Sequence, residues 1–76
     1  PHPQPLLEAA SRLRLPPQRC IYIGDDRRDV EAGRSALMPT LAAAWGYLGR
    51  DESVHDWNAD AVLAHPDELL NWLGMA

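Results

Sequence analysis

"CIYIGDDRRDVEAG" (Cys20–Gly33) governs the reading of all 76 residues. An apolar run stops at Gly24, and Asp25, Asp26 and Asp29 crowd the next five positions. Cys20–Gly24 is short, continuous and apolar, with β-branched Ile21 and Ile23 between turn signals. That pattern predicts a strand buried on both faces, as in a parallel sheet. Asp29–Leu37 reads as a helix with Val30, Gly33 and Leu37 inward and Asp29 as its N-cap. Ligands of open parallel sheets bind beyond the carboxyl ends of the strands, and Asp25 stands at such an end. Gly24 is expected to let the backbone turn sharply there. Two readings of the turn stand side by side. A hard cation such as Mg²⁺ takes one or two carboxylates, with waters and substrate phosphate completing its shell. Asp25 would then be a direct ligand, and Asp29 would support the ion or its waters. Alternatively the acids cap a helix while Asp26, Arg27 and Arg28 are simply solvated.

Working outward, residues 3–15 carry Leu6, Ala9, Ala10 and Leu13 at helical spacing, and Pro16–Pro17 end that helix. "TLAAAW" (Thr40–Trp45) has weak β-propensity. Its six-residue length, between Pro39 and Gly46, makes it a second strand. Residues 46–58 read as a polar loop. "ADAVLA" (Ala59–Ala64) is a third strand, and Pro66–Met75 a closing helix with Pro66 at its first position. The order is α-β-α-β-β-α, an α/β chain with a parallel sheet. Three strands leave an unpaired edge, which favours self-association.

The composition narrows the partners. A 46% apolar content suits a folded core. Five glycines and seven prolines keep the elements short. Seven arginines, no lysine and a net charge of −4 give no basic stripe for nucleic acid. Cys20 is the lone cysteine, so no intrachain disulfide forms, and a cytoplasmic setting is expected. No run reaches the roughly 18 apolar residues of a membrane span. "PHPQPLLEA" has neither the basic start nor the apolar stretch of a signal peptide.

A wider set of motifs carries a resemblance. The "PxP" of Pro1–Pro3 precedes a helix, "YIGDDxRDxxAG" spans Tyr22–Gly33, and "MPT" and "WGY" bracket the second strand. In that order, over essentially the whole chain, they resemble the C-terminal part of haloacid dehalogenase superfamily phosphatases. The likeness is to phosphoglycolate phosphatases and the bacterial N-acetylmuramic acid 6-phosphate phosphatases. The resemblance implies a Rossmann-like core and hydrolysis of a small phosphorylated metabolite, phosphoglycolate or a sugar phosphate, through an aspartyl-phosphate with Mg²⁺. It makes Asp25 the metal-ligating aspartate and Asp29 the second acid of that motif. Asp26 becomes a hydrogen-bonding neighbour that joins the metal set less directly. It also implies that residues 1–76 are a single C-terminal piece of such a domain. The first strand, the cap and the paired-aspartate nucleophile motif would lie elsewhere, so the piece by itself is expected to be inactive. Two departures stand out. The lysine expected just before "PxP" has no counterpart in a lysine-free chain. Leu37 stands where relatives carry a glycine in a left-handed conformation, at a cost on the order of 1 kcal/mol.

Other chemistries find little support. His2, His55 and His65 lack zinc spacing, the serines form no nucleophile elbow, and no phosphate-cradling glycine loop occurs. A phosphorelay receiver would need a lysine. A non-catalytic α/β module that binds Mg²⁺ weakly or self-associates is the alternative function. Trp45, Gly46 and Tyr47 either face substrate or pack beneath the long loop. Trp57 and Trp72 read as core or loop anchors, and Glu31 and Arg34 as surface.

Overall fold

In the computed structural model, which describes residues 2–47 and 53–74, the helix ends follow the punctuation of the sequence. Helix α1 (Gln4–Arg12) begins with a proline in its first turn and ends at Leu13, ahead of Pro16–Pro17. Helix α2 (Arg27–Ser35) is capped by Asp26 and ends at Ala36, ahead of Pro39. Helix α3 (Glu68–Trp72) follows Pro66 and ends at Leu73. It is shorter than the expected 66–75, and Met75 lies outside the described residues.

Strands β1 (Tyr22–Gly24), β2 (Thr40–Ala43) and β3 (Ala61–Leu63) form one sheet in the order β1-β2-β3. Both pairings are parallel, with Gly24 opposite Ala42 and Ala42 opposite Val62. The α/β class and the parallel sheet are therefore as expected. Successive residues of a strand alternate faces. Tyr22, Gly24, Thr40, Ala42 and Val62 thus share one face, and α2 packs there through Val30 and Gly33. Trp57, from a short 3-10 turn (Val54–Trp57), closes this core and meets Tyr47 edge-on at 4.7 Å. Ala10 of α1, with Leu6 and Leu7, packs on Ala36 and Met38 beside Cys20 and Tyr22.

Several expectations change. The strand expected to be buried on both faces is an edge strand: Tyr22 and Ile23 are half-buried, and Ile21 precedes it and is exposed. The weak candidate "TLAAAW" supplies the buried centre, because β2 is paired on both sides and all four of its residues are buried. Its alanines leave α2 room to approach. Trp57 is core, whereas Trp72 is 43% exposed. Leu13 on α1 faces solvent, and Leu7 takes the inward role. Arg34 is not simply surface, since its guanidinium pairs with Asp60 at 2.6 Å. No helix among the described residues is long and apolar enough to cross a membrane.

Candidate functional site

The acidic turn sits where the parallel sheet presents the carboxyl end of β1. Asp25 follows Gly24 directly and is exposed. Its carboxylate has no hydrogen-bond or ion-pair partner among the described residues. Its backbone N–H, by contrast, donates to Oδ2 of Asp29 at 3.2 Å. The other Asp29 oxygen, Oδ1, accepts from the Tyr22 hydroxyl at 3.4 Å. Asp29 is thus held by both oxygens, while Asp25 keeps its own free.

The capping role belongs to Asp26 rather than to Asp29. Asp26 is extended, and its Oδ1 accepts from the Arg28 N–H at 3.1 Å, the geometry of an N-cap side chain. The helix therefore starts two residues earlier than the apolar pattern indicates. Asp29 falls in its first turn, where the positive end of the helix dipole favours a carboxylate. Of the three acids, one caps, one clamps and one is left to face outward.

Gly24 serves this arrangement by its size. Its φ is not positive, so no special turn requires it. A Cβ at that position would run into Cβ of Asp29 and lie 2.9 Å from its Cγ. The absence of that Cβ lets the Asp29 side chain reach across β1 to the Asp25 amide. Sequence reasoning missed Tyr22. The available signal was its period-two alignment with Gly24 on the face toward α2. Burial first, then the charge and hydrogen bond of Asp29, then Asp25, raise the Tyr22 hydroxyl pKa above its ordinary value and keep it a donor.

No three His, Cys, Asp or Glu side chains converge among the described residues. The set is two carboxylates, Asp25 and Asp29, joined through the Asp25 amide, with no room for a side chain on Gly24 against Asp29. That all-oxygen, ligand-poor arrangement fits Mg²⁺, which retains waters and binds few protein groups. Asp25 would hold the ion directly and Asp29 through water, while Asp26, with one oxygen on the Arg28 N–H, would join the set less directly. Tyr47 packs on Trp57, but Trp45 lies 43% exposed in the 3-10 turn (Ala44–Gly46) that follows β2.

Comparison with known proteins bears on this geometry. Residues 1–43 match the family described as haloacid dehalogenase-like hydrolase. A phosphoglycolate phosphatase of Xylella fastidiosa is 46% identical over 69 residues, spanning 91% of this chain and 30% of its own length. An N-acetylmuramic acid 6-phosphate phosphatase of Pseudomonas aeruginosa is 43% identical over 76 residues, all of this chain and 34% of the relative. Among solved structures, a haloacid dehalogenase family hydrolase of Deinococcus radiodurans with bound phosphate and sodium superposes with a TM-score of 0.83. It shares 28% identity over 97% of this chain and 34% of that one. The chain thus spans about a third of the length of the proteins it matches.

Proposed function

This chain belongs to the haloacid dehalogenase-like hydrolases, and from that premise we propose that it is the metal-holding part of a phosphate monoester hydrolase. In a protein of the relatives' length it would form the C-terminal part of the core domain. The substrate would be a small phosphorylated metabolite, phosphoglycolate or a sugar phosphate. The observation that carries the reading is the Asp25 carboxylate, without a partner among the described residues, at the carboxyl end of a parallel strand, with its amide pinned by Asp29. Asp25 presents its oxygens outward, Asp29 fixes the loop that carries them, and Asp26 closes the helix beneath. Mg²⁺ held there would neutralise charge that builds on a transferring phosphoryl group. The sequence contains no lysine and no pair of aspartates two apart. These 76 residues alone are therefore expected to show no turnover.

Calorimetric titration with Mg²⁺ tests the assignment. Asp25→Asn is expected to abolish binding. Asp26→Asn, which preserves a good N-cap, is expected to bind like the unmodified chain. In a protein of the relatives' length, Asp25→Asn should lower hydrolysis of a generic phosphomonoester by on the order of a hundredfold or more. Equal Mg²⁺ affinity with and without the Asp25 carboxylate would sink the proposal.

A further inference from the structure

Four positions form a chain of contacts from the sheet to the acidic turn. Tyr22 and Gly24 lie two apart on the face of β1 that meets α2. Asp29 and Gly33 lie one turn apart on α2. The Tyr22 ring rests against Gly33, where an added Cβ would sit 3.0 Å from Tyr22 Cδ2 and would overlap Thr40 Oγ1. Wedged between strand and helix, the ring has its hydroxyl directed one turn back along α2, 3.4 Å from Asp29 Oδ1. Asp29 Oδ2 then meets the Asp25 N–H at 3.2 Å.

We infer that Tyr22 is a positioning residue for divalent-cation binding: its hydroxyl sets the rotation of the Asp29 carboxylate and, through it, the placement of Asp25. This role rests on the metal reading above and adds a group three residues before the ligand. The terminal torsion of an aspartate is broad, so one hydrogen bond leaves its carboxylate free to swing. The Tyr22 hydroxyl is the second anchor that opposes this swing. Asp25 is exposed, and among the described residues the Asp29–amide contact is the side-chain restraint on its backbone. The amide contact is at the long end of the usual range and the hydroxyl contact is longer than usual, so loss of the hydroxyl loosens the clamp without dismantling the fold. Groups that orient metal ligands from behind commonly change metal affinity 10–100-fold.

The test uses Mn²⁺ as the probe, with affinity read from water-proton relaxation on the 76-residue chain. Asp25→Asn serves as the ligand-loss control, and Tyr47→Phe, whose ring packs on Trp57, as the tyrosine control. Tyr22→Phe is expected to weaken Mn²⁺ binding about tenfold with little change in Tm. It should also speed hydrogen exchange of the Asp25 amide in the metal-free protein. Tyr22→Leu also lacks the hydroxyl and is read on its folded fraction, so the result does not depend on one variant folding well. A purely structural Tyr22 would lower Tm and leave the affinity of the folded molecules unchanged. Unchanged affinity in both variants, with binding still lost in Asp25→Asn, overturns the positioning role and leaves the metal site standing. Mn²⁺ binding that is indifferent to Asp25→Asn overturns both.

Discussion

Leu37 holds a backbone conformation that side chains disfavour, with φ at 62°. It is the residue after the cap of α2. Its N–H bonds to the Arg34 carbonyl and that of Met38 to the Gly33 carbonyl, which together make a Schellman closure. The same closure ends α1 at Arg14, and α3 uses Gly74 at the equivalent place. Leu37 is 68% exposed, so its side chain contributes little burial in return for the strained φ. Leu37→Gly is therefore expected to stabilise the fold by up to about 1 kcal/mol. Thermal unfolding should register a rise of several degrees, on the order of 4–8 °C per kcal/mol in a domain of this size. A lowered Tm would mean that the Leu37 side chain packs more strongly than its exposure indicates.

Among the elements, α2, β2 and β3 are tied by Asp60, a residue with no obvious role in the sequence. One oxygen accepts from the Arg34 guanidinium at 2.6 Å and the other from the Thr40 N–H at 2.7 Å. The two bonds differ in value. The Arg34 pair is partly solvated, with side chains 43% and 36% exposed, and such pairs contribute about 0–1 kcal/mol. Thr40 is fully buried, so its N–H has no access to water if Asp60 is removed. A buried donor left unpaired costs about 1–3 kcal/mol. Urea unfolding of Asp60→Ala should show that loss, whereas Arg34→Ala should fall near the lower figure. Equal effects would place the energy in the ion pair instead. Arg34 is legible in the sequence as a helix-surface residue. Its partner lies 26 positions away, beyond the reach of any local pattern.

For the molecule as a whole, β1 ends the sheet with no strand on its outer side among the described residues. Close by in sequence, Leu13, Leu15 and Ile21 are exposed. An open strand edge with apolar neighbours is a template for pairing. In keeping with the alternative of a self-associating module, we propose that the isolated chain associates through this edge. Sedimentation equilibrium across a wide concentration range should give a rising average mass, and Ile21→Lys should reduce it. A monomer at every concentration would count against edge-driven assembly. A small domain has little stability to spare, so pairing along this edge would also raise its apparent Tm with concentration.

Local chemistry determined a good part of this protein before any contact was known. Prolines cannot continue a helix, alternating and continuous apolar runs mark strands, and an acid after a strand-ending glycine marks the turn at the carboxyl end of the sheet. Those rules act within a few residues, so they located the three strands and three α-helices of the described residues and the turn carrying Asp25. They could not decide which strand lies at the centre, because that depends on pairing of Tyr22 with Thr40 and of Leu41 with Ala61, far apart in the chain. Nor could they divide the labour among three aspartates. Asp26 caps and Asp29 clamps because α2 starts at Arg27 and the missing Gly24 side chain opens the way to the Asp25 amide. The contacts that made that division span two to seven residues, but they form only because α2 starts where it does and lies close against β1.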